Sequence, residues 1–441
     1  MVAALGGCRP SSLVAPGELD ASIGMPIDGA IDVPQVRAAG PAGVPPDSTV
    51  VPASDWLFDS ALWSRTPGGD PCDVWVAEGA KGRFPRRRWV ECSDGCWVAP
   101  AVALDSDVGA SRMTTSTAYR DGELYLRIVS GSPRYRMATV TRVSDGEIIA
   151  AVQQRNRFDT CSIVGNALGS PFLFPFANAG VGMLIGHVDR VSGHIDWSRQ
   201  WVPWRGVITS TFSNDSYWGM AFMDGVVRVA SSFEATDLVE VDRGVLPITR
   251  SRGIHDQVFW AMPQAPSGHD VIKMYAPAVG TSLVAERKEA HLLTVSASES
   301  ALVWIGTHGP RVFDGTFESA ELYRSPRVGA DSKFVINEGP KLPGANGLLQ
   351  LENTDNYAAT LSCRDADALS CRVIVVHLPS QRTWTIPNRP GSLFLDVLGL
   401  SDHELLLAEN DWPSAARYLQ ETQRLVRLAL DKLDNIEKDL P

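Results

Sequence analysis

A histidine beside an aspartate can take a proton from a bound substrate and return it, and Gly253-Ile254-His255-Asp256 sets such a pair just ahead of an apolar strand pattern. His255 and Asp256 are the best general-base candidates in the chain, although adjacent residues on extended backbone point to opposite faces. The other histidines are His187, His194, His269, His291, His308, His377 and His403. None stands in a His-Glu-x-x-His zinc signature, and there is no Gly-x-Ser-x-Gly nucleophile elbow. Where His187 and His194 flank a turn, a solvated polar residue is the ordinary reading.

Sulfur offers a second chemistry. Cys92 and Cys96 flank the turn Ser93-Asp94-Gly95 in a hairpin reading of Trp89–Val98, and Cys72 precedes them. Three thiolates could hold zinc, but no histidine is near and the spacing suits a disulfide better. Either Cys92 pairs with Cys96 across the turn, or one of them reaches back to Cys72 and the odd thiol meets Cys161. Cys363 and Cys371 bracket a loop between two strand patterns, which predicts a disulfide stapling that hairpin. No metal and no cofactor is expected.

Two groups suit binding rather than catalysis. Arg86, Arg87 and Arg88 form the one basic cluster, able to meet an acidic surface, phosphate head groups or an anionic polysaccharide, or to serve as a solvated connector. Trp201, Trp204, Tyr217 and Trp218 could stack on carbohydrate, though core packing is the usual use of such rings. A formal charge of −11 argues against a surface built for nucleic acid.

The elements that position these residues begin with a distinctive start. Leu5-Gly6-Gly7-Cys8 resembles the end of a bacterial lipoprotein signal, in which the cysteine becomes lipidated; the charged and apolar regions that precede this motif in the family are missing from residues 1–4. The resemblance implies an anchor at Cys8 and a place in the cell envelope, with the membrane reached only through that lipid. Residues 9–55 are rich in Pro, Gly, Ala and Ser, and read as a disordered tether. Residues 56–112 read as Cys- and Trp-rich strands joining the main fold, 113–431 as the repeats, and 432–441 as a tail. A cytoplasmic chain that truly starts at Met1 is the alternative.

From residue 113 the chain is all-β. Short apolar runs recur around polar turns, the cleanest being Phe394–Leu400 and Leu405–Ala408 around Ser401-Asp402-His403-Glu404. Turn centres near 121, 169, 214, 267, 298, 354 and 402 give a mean spacing of about 47 residues, the period of four-stranded propeller blades. The expected fold is a β-propeller of about seven four-stranded blades, within a range of six to eight. Irregular spacing around 250–335 points to a misassigned strand pair there. Arg424–Leu430 reads as an outer strand of the last blade, yet apolar spacing from Ser414 onward also suits a C-terminal helix. If that helix forms, the ring must close with the strands near Trp89–Val98.

The hairpin copies resemble the broad propeller group of WD-repeat, kelch-like and YVTN-type proteins, without the signature series of any one family. The resemblance alone admits both binding platforms and enzymes. With the lipoprotein-like start, the spacer, the cysteines and no catalytic signature, the expected function is a non-catalytic, envelope-tethered binding or scaffold module for a protein or glycan partner. An exported hydrolase or lyase with its site at the mouth of the central channel is the alternative.

Overall fold

Nearly continuous apolar strands are the first cause of this architecture. Every residue of Gln257–Met262 is buried, and alternate positions go to different places. Val258, Trp260 and Met262 pack with Phe212, Val227 and Val229, whereas Phe259 and Ala261 pack with Val295, Leu302 and Trp304. Ala301–His308 repeats the pattern: Ala301, Val303 and Ile305 join Leu351 and Ile374, while Leu302 and Trp304 turn back to Phe259. A strand with almost no polar positions is one covered on both faces. Each sheet is therefore stacked between two others, at about 1.5–3 kcal/mol for each large aliphatic or aromatic side chain fully buried.

The structure is a computed structural model describing residues 51–52, 63–66, 73–78, 89–99, 102–103, 114–121, 124–130, 136–144, 148–154, 161–163, 167–168, 173–178, 182–189, 194–197, 208–214, 216–222, 225–232, 237–243, 250–262, 270–287, 290–308, 319–326, 337–342, 348–363, 371–388, 392–411 and 424–439. All belong to one compact unit of residues 40–441. Among them, seven antiparallel sheets follow one another along the chain.

Blade 1 is Thr114–Asp121, Leu124–Ser130, Arg136–Arg142 and Ile148–Gln154, extended outward by Val74–Glu78 and Ser64–Arg65. Blade 2 is Cys161–Ile163, Leu173–Asn178, Gly182–Val188 and Ile195–Trp197. Blade 3 is Ile208–Ser213, Trp218–Phe222, Val226–Ala230 and Leu238–Arg243, with Ala167–Leu168 added in parallel on its inner edge. Blade 4 is Arg250–Ile254, Gln257–Met262, Asp270–Ala276 and Gly280–Arg287. Blade 5 is Ala290–Ala297, Ala301–His308, Ser319–Pro326 and Asn337–Leu342. Blade 6 is Leu348–Asn353, Tyr357–Cys363, Cys371–His377 and Arg382–Ile386. Blade 7 opens with Ser392–Leu400, Glu404–Asp411 and Arg424–Ala429.

The inner strands adjoin in order from blade 3 to blade 7, and Ser392–Leu400 of blade 7 adjoins Thr114–Asp121 of blade 1. The fold is a seven-bladed β-propeller. Inner-strand pairing skips one residue a few positions before the hairpin turn, at Thr117, Thr209, Leu293, Gln350 and Leu395. Such bulges bend a strand and raise its twist, which suits the strands that must curve around the axis.

Two sequence expectations change. The run Val258–Met262 is the second strand of blade 4, not its first; the inner strand is Arg250–Ile254. The turn centre of that blade moves from near 267 to 255, and the spacing from 214 through 255 to 298 becomes even. The sequence reading failed because Arg250-Ser-Arg-Gly253 carries none of the apolar character of the other inner strands.

The C-terminus uses both readings offered for it. Val426 and Leu428 alternate as a strand, then Leu430, Leu433 and Ile436 step by three into the same core, through a 3-10 turn Leu430–Lys432 and a helix Leu433–Asp439. Ser414, the suggested N-cap, lies outside the described residues. With the third strand of blade 7 at Arg424–Ala429, the fourth comes from the other end of the chain. Cys96–Ala99 pairs antiparallel with Leu425–Leu428, and Val90–Ser93 adds a fifth strand. At the end of the segment read as a tether, Val51–Pro52 pairs with Val102–Ala103; residues 1–50 lie outside the described residues.

Candidate functional site: a hydrogen-bonded rim of turns

In blades 3, 5, 6 and 7 the turn that joins the inner strand to its neighbour has one construction. In blade 3, Asn214 Oδ1 accepts from the amides of Ser216 and Tyr217, both at 2.9 Å. In blade 6, Thr354 Oγ1 accepts from the amides of Asn356 at 3.2 Å and Tyr357 at 3.1 Å. In blade 7, Ser401 Oγ accepts from His403 at 3.3 Å and Glu404 at 3.1 Å. In blade 5, Ser298 Oγ accepts from the Ala301 amide at 3.2 Å. These are side-chain-capped turns, the geometry that Asn, Ser and Thr favour.

The same turns fasten the blades to one another. Ser298 Oγ donates to Asp355 Oδ1 at 2.7 Å, and the Ser300 amide donates to the same oxygen at 2.8 Å, joining blade 5 to blade 6. Thr354 Oγ1 donates to Asp402 Oδ1 at 2.6 Å, joining blade 6 to blade 7. Burial pushes the Asp355 carboxyl up, but the Ser298 and Ser300 donors and the Arg324 guanidinium outweigh it and hold the group below the ordinary carboxylate range. Between blades 3 and 4 the link is a phenol. Tyr217 is 1% exposed, its hydroxyl donates to the Asp256 carbonyl at 3.1 Å, and its ring meets Tyr275 edge-on. Burial drives that phenol well above the ordinary tyrosine range.

The belt fixes an arc of exposed tips: His255, Asp256, Glu299, Ser300, Asn356, Asp402 and His403. His255 holds φ at +49, in the left-handed region that costs a residue with a Cβ. Together these tips form a rim of three acids, two histidines, a serine and an asparagine. Among the described residues, no three His, Cys, Asp or Glu side chains converge as metal ligands.

The sequence candidates fall as follows. His255 and Asp256 belong to this rim: they stand ahead of the apolar run as read, but that run is the second strand of blade 4, and they form the turn leaving its inner strand. Tyr217 and Trp218 are each 1% exposed, which corrects the sugar-stacking reading; Tyr217 serves the belt from beneath. Trp201, Trp204, Arg86, Arg87, Arg88, Cys8 and Cys72 lie outside the described residues. Cys92 and Cys96 are disulfide-bonded. Cys363 and Cys371 are direct partners across their two strands, the register a cross-strand disulfide needs, and Cys161 opens the inner strand of blade 2. Sequence analysis gives Ser298, Thr354, Asp355 and Asp402 no role beyond the turns they stand in. The signal was there as a repeat: Asn214-Asp215, Ser298-Glu299, Thr354-Asp355 and Ser401-Asp402 each open a turn with a capping residue and an acid.

The ring closure forms a second constellation. Arg427 lies between two indoles, its guanidinium carbon 5.0 Å from the Trp89 ring centre and 4.9 Å from that of Trp97. Its Nε is 3.2 Å from Glu404 Oε2, an ion pair without the alignment of a hydrogen bond. Trp89 Nε1 donates to the Val143 carbonyl of blade 1 at 2.8 Å. On the other side of the hairpin, Asp94 meets Lys432 at 3.3 Å and accepts from Asn435, while Asp434 binds Arg382 and accepts from Trp384 Nε1 at 2.7 Å.

No protein-family model matches the chain, and no curated protein matches it. Solved structures are similar to it at low identity. The β-propeller domain of the trilobed protease from Pyrococcus furiosus shares 11% identity over 68% of this chain and 93% of its own, with a TM-score of 0.44. Pyrococcus horikoshii acylaminoacyl peptidase shares 10% over 70% of this chain, with a TM-score of 0.46, and the match spans only 51% of that peptidase. U3-55K shares 11% over 76% of this chain and 99% of its own, with a TM-score of 0.48. The reading of the rim rests on this chain's own residues.

Proposed function

We propose that the protein is a non-catalytic binding module, held at the cell envelope through Cys8, whose rim of turns docks a protein partner carrying basic groups. The observation that carries this reading is the belt itself. Ser298, Ser300 and Thr354 lock the carboxylates of Asp355 and Asp402 in place, and a surface ordered before binding loses less entropy on association. Exposed Asp256, Glu299 and Asp402 give the rim its sign. Steering by such a surface makes association fast and dependent on ionic strength. The motif Leu5-Gly6-Gly7-Cys8 supports the anchor, and the Cys92–Cys96 disulfide suits an oxidising compartment.

The test has two arms. Cross-linking from a photoreactive residue at position 299, in intact envelopes, should capture a basic partner. Purified components should then bind with an on-rate that falls as salt rises, and Glu299→Gln with Asp256→Asn should slow it. A partner captured equally well from a site on the outer strands, or binding indifferent to both substitutions, would refute the rim. Cys8→Ser should release the protein from the membrane fraction; release of neither form, or of both, would refute the anchor alone.

A further inference from the structure

Few large apolar side chains of this fold face solvent, and those few gather in one place. Among the described residues they are Val239, 59% exposed, Leu283, 57%, and Val279, 41%. Val239 belongs to the outer strand of blade 3, Leu283 to that of blade 4, and Val279 to the turn that enters the latter. Val239 is the register partner of Val229, which packs on blade 4. Leu283 is the register partner of Lys273, whose ammonium bonds Asp242 of blade 3 at 2.8 and 2.9 Å. Register partners share a face of a sheet, so Val239 and Leu283 turn toward one seam from its two sides. Thr281 Oγ1 donates to the Val241 carbonyl at 2.5 Å and closes that seam. Two residues of strand span about 7 Å, and Val239, Val279 and Leu283 each stand two residues from this bond.

The corner adjoins the rim. The two turns at that end of blade 4 are His255-Asp256 and Pro277-Ala278-Val279, and one hydroxyl ties them. Tyr217 donates to the Asp256 carbonyl at 3.1 Å and reaches the Tyr275 carbonyl at 3.5 Å. Turn tips favour polar residues, as in Pro379-Ser380-Gln381 at the same place in blade 6. In blade 4 all three tip residues are exposed and none carries a polar side chain. Charges at the border are spent on one another: Glu240 binds Arg243 at 2.9 and 2.8 Å, and Asp242 binds Lys273. What the corner offers a partner is apolar contact.

We propose that this corner is the apolar half of the docking surface, receiving a hydrophobic side chain from the same partner whose basic groups meet the rim. It rests on the rim as the half that steers. Three aliphatic side chains supply a minor part of the ~800 Å² per partner that a standard interface buries. The corner is therefore an anchor beside a larger contact and not a dimer face of its own. The two halves divide the kinetics. Charge sets how fast the partner arrives, and apolar burial sets how slowly it leaves.

Two synthetic lysine-rich peptides of equal charge test this on the immobilised full chain, one carrying a phenylalanine and the other a serine in its place. Both should arrive at the same rate, and the phenylalanine peptide should leave about 10-fold more slowly. Val239→Ser with Leu283→Ser alters exposed positions, and a denaturant midpoint equal to the parent's checks its fold. That double variant should abolish the difference in departure without changing arrival. Asp256→Asn with Glu299→Gln should slow the arrival of both peptides and keep the difference. Equal departure from the parent, or a difference that survives the serine substitutions, overturns the corner. Arrival indifferent to Asp256→Asn with Glu299→Gln, with the difference intact, refutes the rim alone. Sedimentation and vesicle flotation test the rival occupants. Dimerisation, or flotation of the Cys8→Ser form with phosphatidylcholine vesicles, that the serine substitutions abolish would assign the corner to a second copy or a bilayer and overturn the proposal.

Discussion

Ring closure is where this fold is most open to experiment, because blade 7 is assembled from both ends of the chain. Arg427→Ala tests it directly. The substitution removes two stacked contacts worth about 0.5–2 kcal/mol each, depending on desolvation. It also removes the ion pair to Glu404, whose two side chains are only 18% and 20% exposed. Losing one such part-buried pair adds about 1–3 kcal/mol. The contributions add to about 2–7 kcal/mol, the upper end reached only if both indoles lose their packing on the guanidinium. Arg427→Lys keeps the charge but not the flat face that stacks, and should recover less than half of the loss. Urea unfolding followed by tryptophan fluorescence reads the change in midpoint. Hydrogen exchange should place the new openings in Cys96–Ala99 and Arg424–Ala429, with blades 3–5 unaffected at first. If Arg427→Ala stays within 0.5 kcal/mol of the parent, or the new exchange is spread evenly over the ring, the seam is not held as argued.

Other outcomes follow from the packing and the belt. A Cβ at Gly219 would lie 2.4 Å from the Phe212 ring and 2.6 Å from the Arg228 carbonyl, and one at Gly306 would lie 2.7 Å from the Tyr323 ring. Gly219→Ala should therefore cost more than Gly306→Ala, because backbone yields less than a ring edge; both fall in the range of about 1–3 kcal/mol or above, read by denaturant midpoint. The folded-state pKa of Asp355 is lowered, so its contribution is present above the ordinary Asp value near 4 and is lost as pH falls through the folded value. Asp355→Asn should flatten the stability profile in that acid window, and an unchanged profile would count against the clasp. Tyr217 has a raised pKa, so its contribution is complete below about 10 and is lost as pH rises above it. Tyr217→Phe should weaken the protein at neutral pH but soften its alkaline decline. His255→Gly relieves the left-handed backbone and should leave stability equal or higher by up to about 1 kcal/mol, while weakening partner binding; a variant that binds fully and unfolds more easily would remove the reason for a histidine there.

The fold was legible where side chains are apolar on both faces of a strand. Phe394–Leu400 and Leu405–Ala408 announce a doubly covered hairpin, and the structure places them as the inner pair of blade 7. Blade 4 was misread because Arg250-Ser-Arg-Gly253 has no such run, and its place follows from pairing with Val258–Ala261 and not from its own composition. The switch from strand to helix after Ala429 was readable only as two competing periods, since Val426 and Leu428, then Leu430, Leu433 and Ile436, feed the same core with different spacing. The rim was harder to see for a different reason. Its bonds run between residues 39 to 57 positions apart, such as Tyr217 to Asp256, Thr354 to Asp402 and Ser298 to Asp355. Local sequence reports only that each is a turn. What betrays the belt is recurrence, a capping residue followed by an acid, at intervals of one blade.

That recurrence also identifies the turn that departs from it. Blades 5, 6 and 7 open their turns with Ser-Glu, Thr-Asp and Ser-Asp, and a capping hydroxyl of one blade bonds the acid of the next. Blade 4 has a two-residue turn, His255-Asp256, with no hydroxyl to donate onward. Its tie to blade 3 is instead the buried Tyr217, which bonds the backbone of Asp256 and leaves the side chains of both turn residues exposed. Strained backbone persists where surrounding structure over-determines it, and Tyr217 supplies that constraint from below. The fastening thus changes chemistry at blade 4, from the side-chain hydroxyls of blades 5 and 6 to a buried phenol reaching in from blade 3. At blade 4 the rim therefore presents an exposed imidazole and an exposed carboxylate where blades 5, 6 and 7 present a capping residue and an acid.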